Sequence, residues 1–521
     1  MPVEQKRKNP VDQEQRDAIL LDEGSVVISA SAGSGKTTIM AKKLGLELNK
    51  IKNHRTVAAI TFTVKAKDEI KKKSNEITEK PFQAMTNDSF VESEVIRPFI
   101  RDAFGKAFNN DFTVEYGTPH KFDTYQEGLQ QLRDKDIRGT FKVNKKNFNF
   151  QLALDIIEKS VAAQEYLKAK YEMIFIDEYQ DSDYDMHLFF MKLKRDLKIR
   201  LFIVGDAKQA IYKWRGAMDN IFDLLKEEES FSHYELVTNF RCDEQIENFA
   251  NLIHNFKYYK KYEENVRNVI LKSYNQTRLM KSNFMEFDKE LNDLIEREII
   301  DPEKEITIIA NYNQDALKLT TQLNNSGFNF VFIPRTPIDD GLPNGPLLKE
   351  LAMFIKNENS SYSIYDFMEN IQISDNHRAR IDTNNIIKKL KKSENVIPEV
   401  ISEVLDELTI YLGISISDEE IEKFCQSVCN NQYDIAFRIT EEKHKVMTVF
   451  ASKGLEFDQV ISFSKYYNIA NNQGLENHYV CVTRAKNKFV MVLDDDSYYQ
   501  HLEYLARENS IKNVNYLFCY F

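Results

Sequence analysis

Residues 25–38 read SVVISASAGSGKTT, and this stretch decides the fold. The apolar run 26–28 predicts a buried strand, the small residues 29–35 predict a loop, and Lys36 opens a predicted helix. The spacing is that of a phosphate-binding loop, G-x-x-x-x-G-K-[ST], with Ala30 in place of the first glycine. Backbone N–H groups in such a loop cradle phosphate oxygens, and the helix N-terminus adds partial positive charge. The stretch therefore predicts an NTPase of the α/β class.

The side chains of this loop have separate predicted tasks. Lys36 is placed to reach the β- and γ-phosphates of ATP, and the Thr37 hydroxyl to ligate Mg²⁺. Ahead of the loop, a predicted helix at 11–19 carries Gln15, whose amide can pair with adenine. The remaining predicted ATP contacts in the loop are Ser31, Ala32, Gly33, Ser34, Gly35 and Thr38. The alternative is a Gly/Ser turn that merely precedes Lys-Thr, and the flanking strand and helix argue against it.

Composition limits the class of protein. The 521 residues predict about three or four domains, and no apolar run has transmembrane length. The N-terminus lacks a secretory signal, and the five cysteines are sparse, so we expect a cytoplasmic protein without a membrane segment. Cys425 and Cys429 form a C-x₃-C pair with no second pair nearby, which predicts no zinc site. The net charge of −11 argues against bulk coating of nucleic acid but permits a narrow basic channel.

A second predicted core strand, 56–63, ends in Phe62 and Thr63 and precedes a lysine-rich helix at 65–73. Strand ends face the ligand crevice of an α/β sheet, so an aromatic and a hydroxyl there suit a strand of nucleic acid. The alternative, a solvated basic helix after a core strand, remains equally open.

Two acidic residues follow a third predicted strand. The stretch 171–181 reads YEMIFIDEYQD, in which 173–176 is apolar and Asp177 and Glu178 come directly after it. The first carboxylate is suited to hold Mg²⁺ and the second to orient and deprotonate an attacking water. Two adjacent acidic residues at the end of a buried strand indicate a functional role more than a purely structural one, because burying unpaired charges is costly.

A fourth predicted strand, 201–204, leads into GDAKQAIYKWRGA at 205–217. Gln209 is placed to sense a γ-phosphate. Trp214, the chain's one tryptophan, lies among basic neighbours, which favours a stacking platform for a base over a core position.

These four motifs together resemble those of the superfamily 1A DNA helicases, the UvrD/Rep/PcrA type, and three further elements match in order. They are ELVTNFRC at 235–242, VMTVFASKGLEF at 446–457 and YVCVTRA at 479–485. The resemblance implies that Phe240 stacks on adenine and that Glu456 lies near the ribose. It also implies two arginine fingers, Arg241 and Arg484. The implied DNA-binding residues are Phe62, Thr63, Thr86, Tyr212, Trp214 and Thr448.

Strands predicted at 306–310, 328–333, 446–450, 460–463 and 489–493 alternate with helices and indicate a second parallel sheet. The resemblance implies two RecA-like domains, each with an inserted, mainly helical subdomain. The expected segments are 1–86 and 171–222 for domain 1A, 87–170 for insert 1B, 223–355 and 441–521 for domain 2A, and 356–440 for insert 2B. Closure of the second domain on the first would bring the arginine fingers to ATP, and the implied polarity is 3′-to-5′ on single-stranded DNA.

In the first insert, basic and aromatic side chains interleave. They either touch DNA or form a solvated edge beside a core, and the second alternative is favoured slightly. They are Lys142, Lys145, Lys146, Phe141, Phe148 and Phe150.

The chain departs from the family pattern at several positions. Asp88 and Phe450 stand where histidines are usual, and Thr38 stands where an arginine is common. Ala207 and Lys208 replace acidic residues before Gln209. The first two changes face the predicted DNA path and bear on how DNA controls hydrolysis.

A short, divergent member of this kind resembles the helicase subunits of Gabija-type anti-phage systems. That resemblance implies a separate nuclease partner of the OLD family (GajA-like), besides single-stranded or tailed DNA. Two alternatives stay open: an ATPase that senses DNA ends and regulates a nuclease with little unwinding, and a stand-alone DNA repair helicase.

Overall fold

The structure is a computed structural model. It describes residues 10–61, 64–115, 118–143, 145–228, 230–334, 336–339, 342, 344–357, 361–371, 377–392, 397–414, 416–438 and 443–521. The strands are β1 (Ser25–Ala30), β2 (Thr56–Thr61), β3 (Gln83–Thr86), β4 (Thr113–Val114), β5 (Lys121–Phe122), β6 (Ile137–Arg138), β7 (Thr140–Phe141), β8 (Tyr171–Ile176), β9 (Arg200–Gly205), β10 (Phe231–Leu236), β11 (Val269–Ser273), β12 (Ile306–Ala310), β13 (Phe330–Ile333), β14 (His444–Thr448), β15 (Phe457–Phe463), β16 (Ala485–Leu493) and β17 (Cys519–Tyr520).

The α-helices alternate with these strands and fill the inserts. They are α1 (Pro10–Leu21), α2 (Lys36–Lys50), α3 (Val64–Asn75), α4 (Asn87–Val91), α5 (Arg97–Phe104), α6 (Tyr125–Lys135), α7 (Phe148–Lys159), α8 (Val161–Lys170), α9 (Tyr184–Arg195), α10 (Ile221–Lys226), α11 (Glu244–His254), α12 (Arg278–Ser282), α13 (Phe287–Glu296), α14 (Asn313–Asn325), α15 (Gly345–Lys356), α16 (Ile364–Asn370), α17 (His377–Lys392), α18 (Pro398–Leu412), α19 (Asp418–Cys429), α20 (Asp434–Phe437), α21 (Val449–Ser452), α22 (Leu475–Val482) and α23 (Asp496–Glu508).

The first sheet has six parallel strands in the order β10-β1-β9-β8-β2-β3. Its four central strands, β1, β9, β8 and β2, are buried on both faces, as expected for a parallel sheet covered by helices. On one face, α2 packs through Met40, Leu44 and Leu48, which are spaced four residues apart along the helix and buried. The carboxyl ends of β1, β8 and β9 therefore meet at one edge, where their following loops assemble the site.

The second sheet has seven parallel strands in the order β13-β14-β12-β15-β16-β11-β17. Two hydrophobic clusters cover its faces. The two parallel sheets confirm the predicted α/β class with two sheet-bearing domains. No helix in the part of the chain that the structure describes is long and apolar enough to cross a membrane.

Two predicted domain limits differ from the structure. β10 pairs with β1 in the first sheet, with Ser25 opposite Phe231, although the first domain was expected to end at 222. α15 buries Leu348 and Leu351 in the core of the second insert, which was expected to begin at 356. Local periodicity predicts a strand or helix but does not say which core will receive its apolar face. The other limits stay predictions.

The first insert is helical, with two small parallel pairs, β4–β6 and β5–β7. Phe141, Phe148 and Phe150 are buried in its core, whereas the interleaved lysines Lys142, Lys145 and Lys146 are exposed. This arrangement agrees with the favoured alternative, a solvated edge beside a core.

Candidate nucleotide-binding cleft

The loop between β1 and α2 has the backbone of a phosphate cradle. Gly33 and Gly35 have φ of 71° and 78°, in the left-handed region that favours glycine. A Cβ at Gly33 would also lie 2.2 Å from Asn239 Oδ1, so another chain segment packs directly on the loop. The Ser34 hydroxyl is buried and has no hydrogen-bond partner among the described residues. An orphaned hydroxyl in a glycine-bounded loop at a helix N-terminus fits a phosphate group.

The predicted phosphate and metal ligands flank this loop. Lys36 Nζ lies 3.3 Å from the backbone oxygen of Ala30. Asp177 follows β8, is 3% exposed, and accepts a hydrogen bond from the Glu178 N–H. A hydroxyl at Thr37 and a carboxylate at Asp177 are oxygen donors of the kind Mg²⁺ takes beside phosphates. These two residues would hold the ion, which would neutralise charge on the phosphate oxygens when bound.

Glu178, the predicted catalytic base, is held in an unusual backbone conformation. Its φ is 52°, which is uncommon for a residue with a side chain and concentrates at functional sites. Burial alone would raise the pKa of Glu178, but Lys36 and Lys453 outweigh it and hold the pKa below its ordinary value. The Gln180 amide donates a hydrogen bond to the Glu178 carboxylate. Glu178 is therefore ionised and oriented.

A relay of buried polar groups joins Glu178 to the predicted γ-phosphate sensor. Gln180 Oε1 accepts from the Asp206 N–H at 2.9 Å, and Asp206 Oδ2 accepts from Gln209 Nε2 at 2.8 Å. Gln209 Oε1 in turn lies 3.5 Å from Arg484 Nη2, which comes from the second domain. Sequence reasoning did not assign Gln180 or Asp206 a role. The signal was available, because both lie inside the quoted motifs.

The two predicted arginine fingers lie close to the cleft but are held differently. Arg484 is 1% exposed and donates to the backbone oxygens of Val480 and Leu455. Burial, and after it the neighbouring Arg241, lower the pKa of Arg484 to about 10, so it stays charged at neutral pH. Arg241 lies in the connection between β10 and α11 and forms an ion pair with Glu456 at 2.8 Å. The resemblance placed Arg241 on the second domain; the structure places it at the junction.

The predicted adenine-binding residues meet on one side of the loop. The Phe240 N–H donates to the Gly33 carbonyl at 2.9 Å, so the NFRC turn is fixed to the loop. Gln15 Oε1 accepts from the Glu235 N–H at 2.7 Å. Arg16, which sequence reasoning missed, lies 5.0 Å from the centre of the Phe240 ring and donates to the Ser34 carbonyl at 2.5 Å.

Thr38 stands where an arginine is common in the resembling helicases, and its hydroxyl accepts from Lys73 of α3 at 3.1 Å. The guanidinium near Phe240 is instead that of Arg16, from α1. Only its place beside Gln15 could have drawn attention to it in the sequence.

Contacts from the second domain close the cleft. Lys453 forms a 2.6 Å ion pair with Asp181 and donates to the Gln209 carbonyl at 3.0 Å. The Tyr479 hydroxyl accepts from the Ala32 N–H of the phosphate loop at 3.1 Å. Burial raises the pKa of Asp181 to about 6 despite Lys453, which acts in the opposite direction. The candidate nucleotide site is thus lined by residues that follow strands of both sheets.

The structure describes four of the six predicted DNA-binding residues, and three of these four make internal contacts. Phe62 and Thr63 lie outside the described residues. Thr86 and Thr448 use their hydroxyls to cap α4 and α21. Tyr212 lies in the contact between the domains, with its ring 6.1 Å from that of Phe450.

Trp214 differs, because it is 48% exposed. Its loop neighbour Gly216 packs against Lys145 of the first insert, where an added Cβ would lie 2.9 Å from the Lys145 Cα. The loop that carries Trp214 thus contacts the segment of the first insert that carries the exposed Lys145.

The chain is similar in sequence to known proteins. The chain matches the family described as the AAA domain over residues 15–215. The Gabija protein GajB of Bacillus cereus is 42% identical over 505 residues, which cover 96% of this chain and 99% of GajB. The chain belongs to the GajB family.

More distant relatives are helicases. The probable DNA helicase II homolog of Mycoplasma pneumoniae is 25% identical over 47% of this chain and 42% of that protein. The ATP-dependent DNA helicase PcrA of Staphylococcus epidermidis is 26% identical over 46% of this chain and 39% of PcrA. The match thus spans less than half the length of either helicase. The resemblance to superfamily 1A helicases is confirmed, and this GajB-family chain is an ATPase of the helicase type.

Proposed function

We propose that the chain is an ATP-driven translocase that moves 3′-to-5′ along single-stranded DNA and displaces the complementary strand. The observation that carries the proposal is the relay from Glu178 to Arg484, which crosses from one domain to the other. Because the groups that would orient water and stabilise phosphate charge come from both sides, hydrolysis requires a closed cleft. ATP binding would favour closure, and hydrolysis would release it.

The same contacts offer a route between DNA and ATP. Lys453 touches Asp181 and the Gln209 carbonyl, and its Nζ lies 4.7 Å from the centre of the Tyr212 ring. Tyr212 is two residues from Trp214, the exposed aromatic on which a base would stack. A base stacked on Trp214 would shift the position of this loop. Through Tyr212 and Lys453, the shift would change the stability of the closed state.

Strand displacement tests the proposal. The purified chain with ATP and Mg²⁺ should separate duplexes with a 3′ single-stranded tail and fail on 5′-tailed and blunt duplexes. Lys36→Ala serves as the control, because it removes an ammonium group that lies beside the phosphate cradle. Unwinding of 5′-tailed substrates would contradict the polarity. ATP hydrolysis without separation of any duplex would contradict the unwinding step.

A second candidate is an ATPase that senses DNA ends and regulates a nuclease with little unwinding. The observation that favours it is that both substituted positions on the predicted DNA path are engaged internally. Asp88 accepts from Asn149 Nδ2 at 2.9 Å, and Phe450 packs near Tyr212. Stimulation of ATP turnover by DNA ends, together with no strand displacement, would favour this candidate.

The proposed partner and setting rest on the similarity to GajB. We propose that the chain acts in the cytoplasm in anti-phage defence, with a separate nuclease subunit of the OLD family (GajA-like). Co-expression with such a nuclease should yield a complex that survives size-exclusion chromatography. Separate elution of the two chains, with and without DNA and ATP, would favour a stand-alone helicase.

A further inference from the structure

Lys208 stands beside the predicted γ-phosphate sensor, at a position where the resembling helicases carry an acidic residue. It belongs to the 3₁₀ turn Ala207–Gln209, which follows β9. The Asp206 side chain caps this turn by accepting from the Lys208 N–H at 3.2 Å. This hydrogen bond stabilises the turn, in which Lys208 and Gln209 are adjacent.

The Lys208 side chain reaches the phosphate loop. Its Nζ lies 3.2 Å from Ser31 Oγ, while Lys36 Nζ lies 3.3 Å from the backbone oxygen of Ala30. Two ammonium groups thus contact adjacent residues of one loop. The Lys208 side chain is 22% exposed, so its end has room to move toward a bound anion.

Lys208 does not form a tight ion pair with a carboxylate among the described residues. Its nearest acidic partner is Asp206, at 3.5 Å, which is longer than a tight charge-assisted hydrogen bond. Burial would raise the pKa of Asp206, but Lys208 first and Lys36 second lower it below its ordinary value. Both lysines thus act on the same buried carboxylate, beside the loop that would receive the triphosphate.

The same surroundings offer Lys208 a different role. Lys208 Nζ lies 5.3 Å from the centre of the Tyr479 ring, and the Tyr479 hydroxyl accepts from the Ala32 N–H. In that role Lys208 would hold the second domain on the loop. Such a contact between the domains would change the affinity for ATP and for ADP equally, because it does not involve the γ-phosphate. A cation over a ring is also weaker than an ammonium on a phosphate oxygen.

We propose that Lys208 is a second phosphate-binding lysine of the nucleotide site, which donates to the γ-phosphate and so favours ATP over ADP. The inference rests on the proposed ATPase function and deepens it. The turn it shares with Gln209 directs Lys208 to the γ-phosphate end of the nucleotide. The loop contact through Ser31 places it there before ATP arrives.

Binding of two nucleotides tests this assignment. The full chain with Mg²⁺ is titrated calorimetrically with a non-hydrolysable ATP analogue and with ADP. Lys208→Ala should weaken the analogue about tenfold or more, because a charge-assisted hydrogen bond is lost, and weaken ADP less than about threefold. Lys208→Arg should restore selectivity for the triphosphate. The control is Lys226→Ala, an exposed lysine of α10 paired with Asp223.

Equal weakening of both nucleotides would overturn the assignment and indicate a contact between the domains through Tyr479. Unchanged binding of both would overturn it as well. If Lys208→Ala does not fold, Lys208→Met keeps the aliphatic chain beside the ring and gives the same comparison. Failure of the unsubstituted chain to bind either nucleotide would instead refute the proposed ATPase function, so the two failures are distinguishable.

Discussion

At the scale of single residues, the site depends on buried charges that are compensated by neighbouring residues of opposite charge. Glu178 is ionised because Lys36 and Lys453 outweigh its burial. Its left-handed backbone is a strained conformation that the surrounding contacts must maintain. A carboxylate held charged and oriented by an amide from Gln180 suits a general base more than a structural contact.

Glu178→Gln should bind ATP and not hydrolyse it. The amide keeps the shape of the side chain but cannot take a proton from water, so turnover should fall about 100-fold or more. Turnover and analogue binding are measured on the same preparation. Glu165→Gln, which changes an exposed side chain of α8, is the matched control. Normal turnover in Glu178→Gln would mean that the base is another residue.

At the scale of elements, the proposed route between DNA and ATP runs through the segments that follow β8, β9 and β14. The Lys453–Asp181 pair joins the segments after β14 and β8, with side chains only 11% and 3% exposed. Breaking one partner of a buried pair leaves an uncompensated charge, whereas replacing both partners is tolerated better. A double-mutant cycle therefore separates the effect of the pair on folding stability from its effect on the coupling between DNA binding and ATP turnover.

Lys453→Met should lower the free energy of unfolding by about 3 kcal/mol at pH 8. The loss should shrink toward pH 6, because burial raises the pKa of Asp181 to about 6 even with Lys453 present, and without Lys453 the carboxyl takes up its proton at a higher pH and is no longer a buried charge. The double variant Lys453→Met, Asp181→Asn should regain stability without regaining stimulation by DNA. Denaturant unfolding and ATP turnover are the readouts. A double variant with full DNA stimulation would show that the pair has only a structural role.

Trp214 lies in the turn Lys213–Arg215. Trp214→Ala should leave nucleotide binding intact and weaken DNA-stimulated turnover. Stacking on an aromatic contributes about 1–3 kcal/mol per base, so the DNA concentration for half-stimulation should rise about fivefold or more. Tyr504→Ala, a 49% exposed aromatic on α23, is the control. An unchanged DNA dependence would make Trp214 a packing residue.

At the scale of the whole molecule, local patterns predicted the motifs and the two sheets well, because a strand, a glycine-rich loop and a helix are encoded by adjacent residues at 25–38. Contacts between distant segments were not predictable in this way. Tyr479 meets Ala32 across 447 residues of chain, and Arg16 meets Phe240 only once β10 joins the first sheet. The role of Lys208 depends on the same tertiary approach.

In the proposed mechanism, DNA controls closure of a nucleotide site shared by two domains. The most direct test is steady-state ATP turnover by the purified chain, with and without single-stranded DNA. We expect single-stranded DNA to raise turnover many-fold and Lys36→Ala to abolish it. Turnover that is the same with single-stranded, tailed, duplex and no DNA would contradict this mechanism.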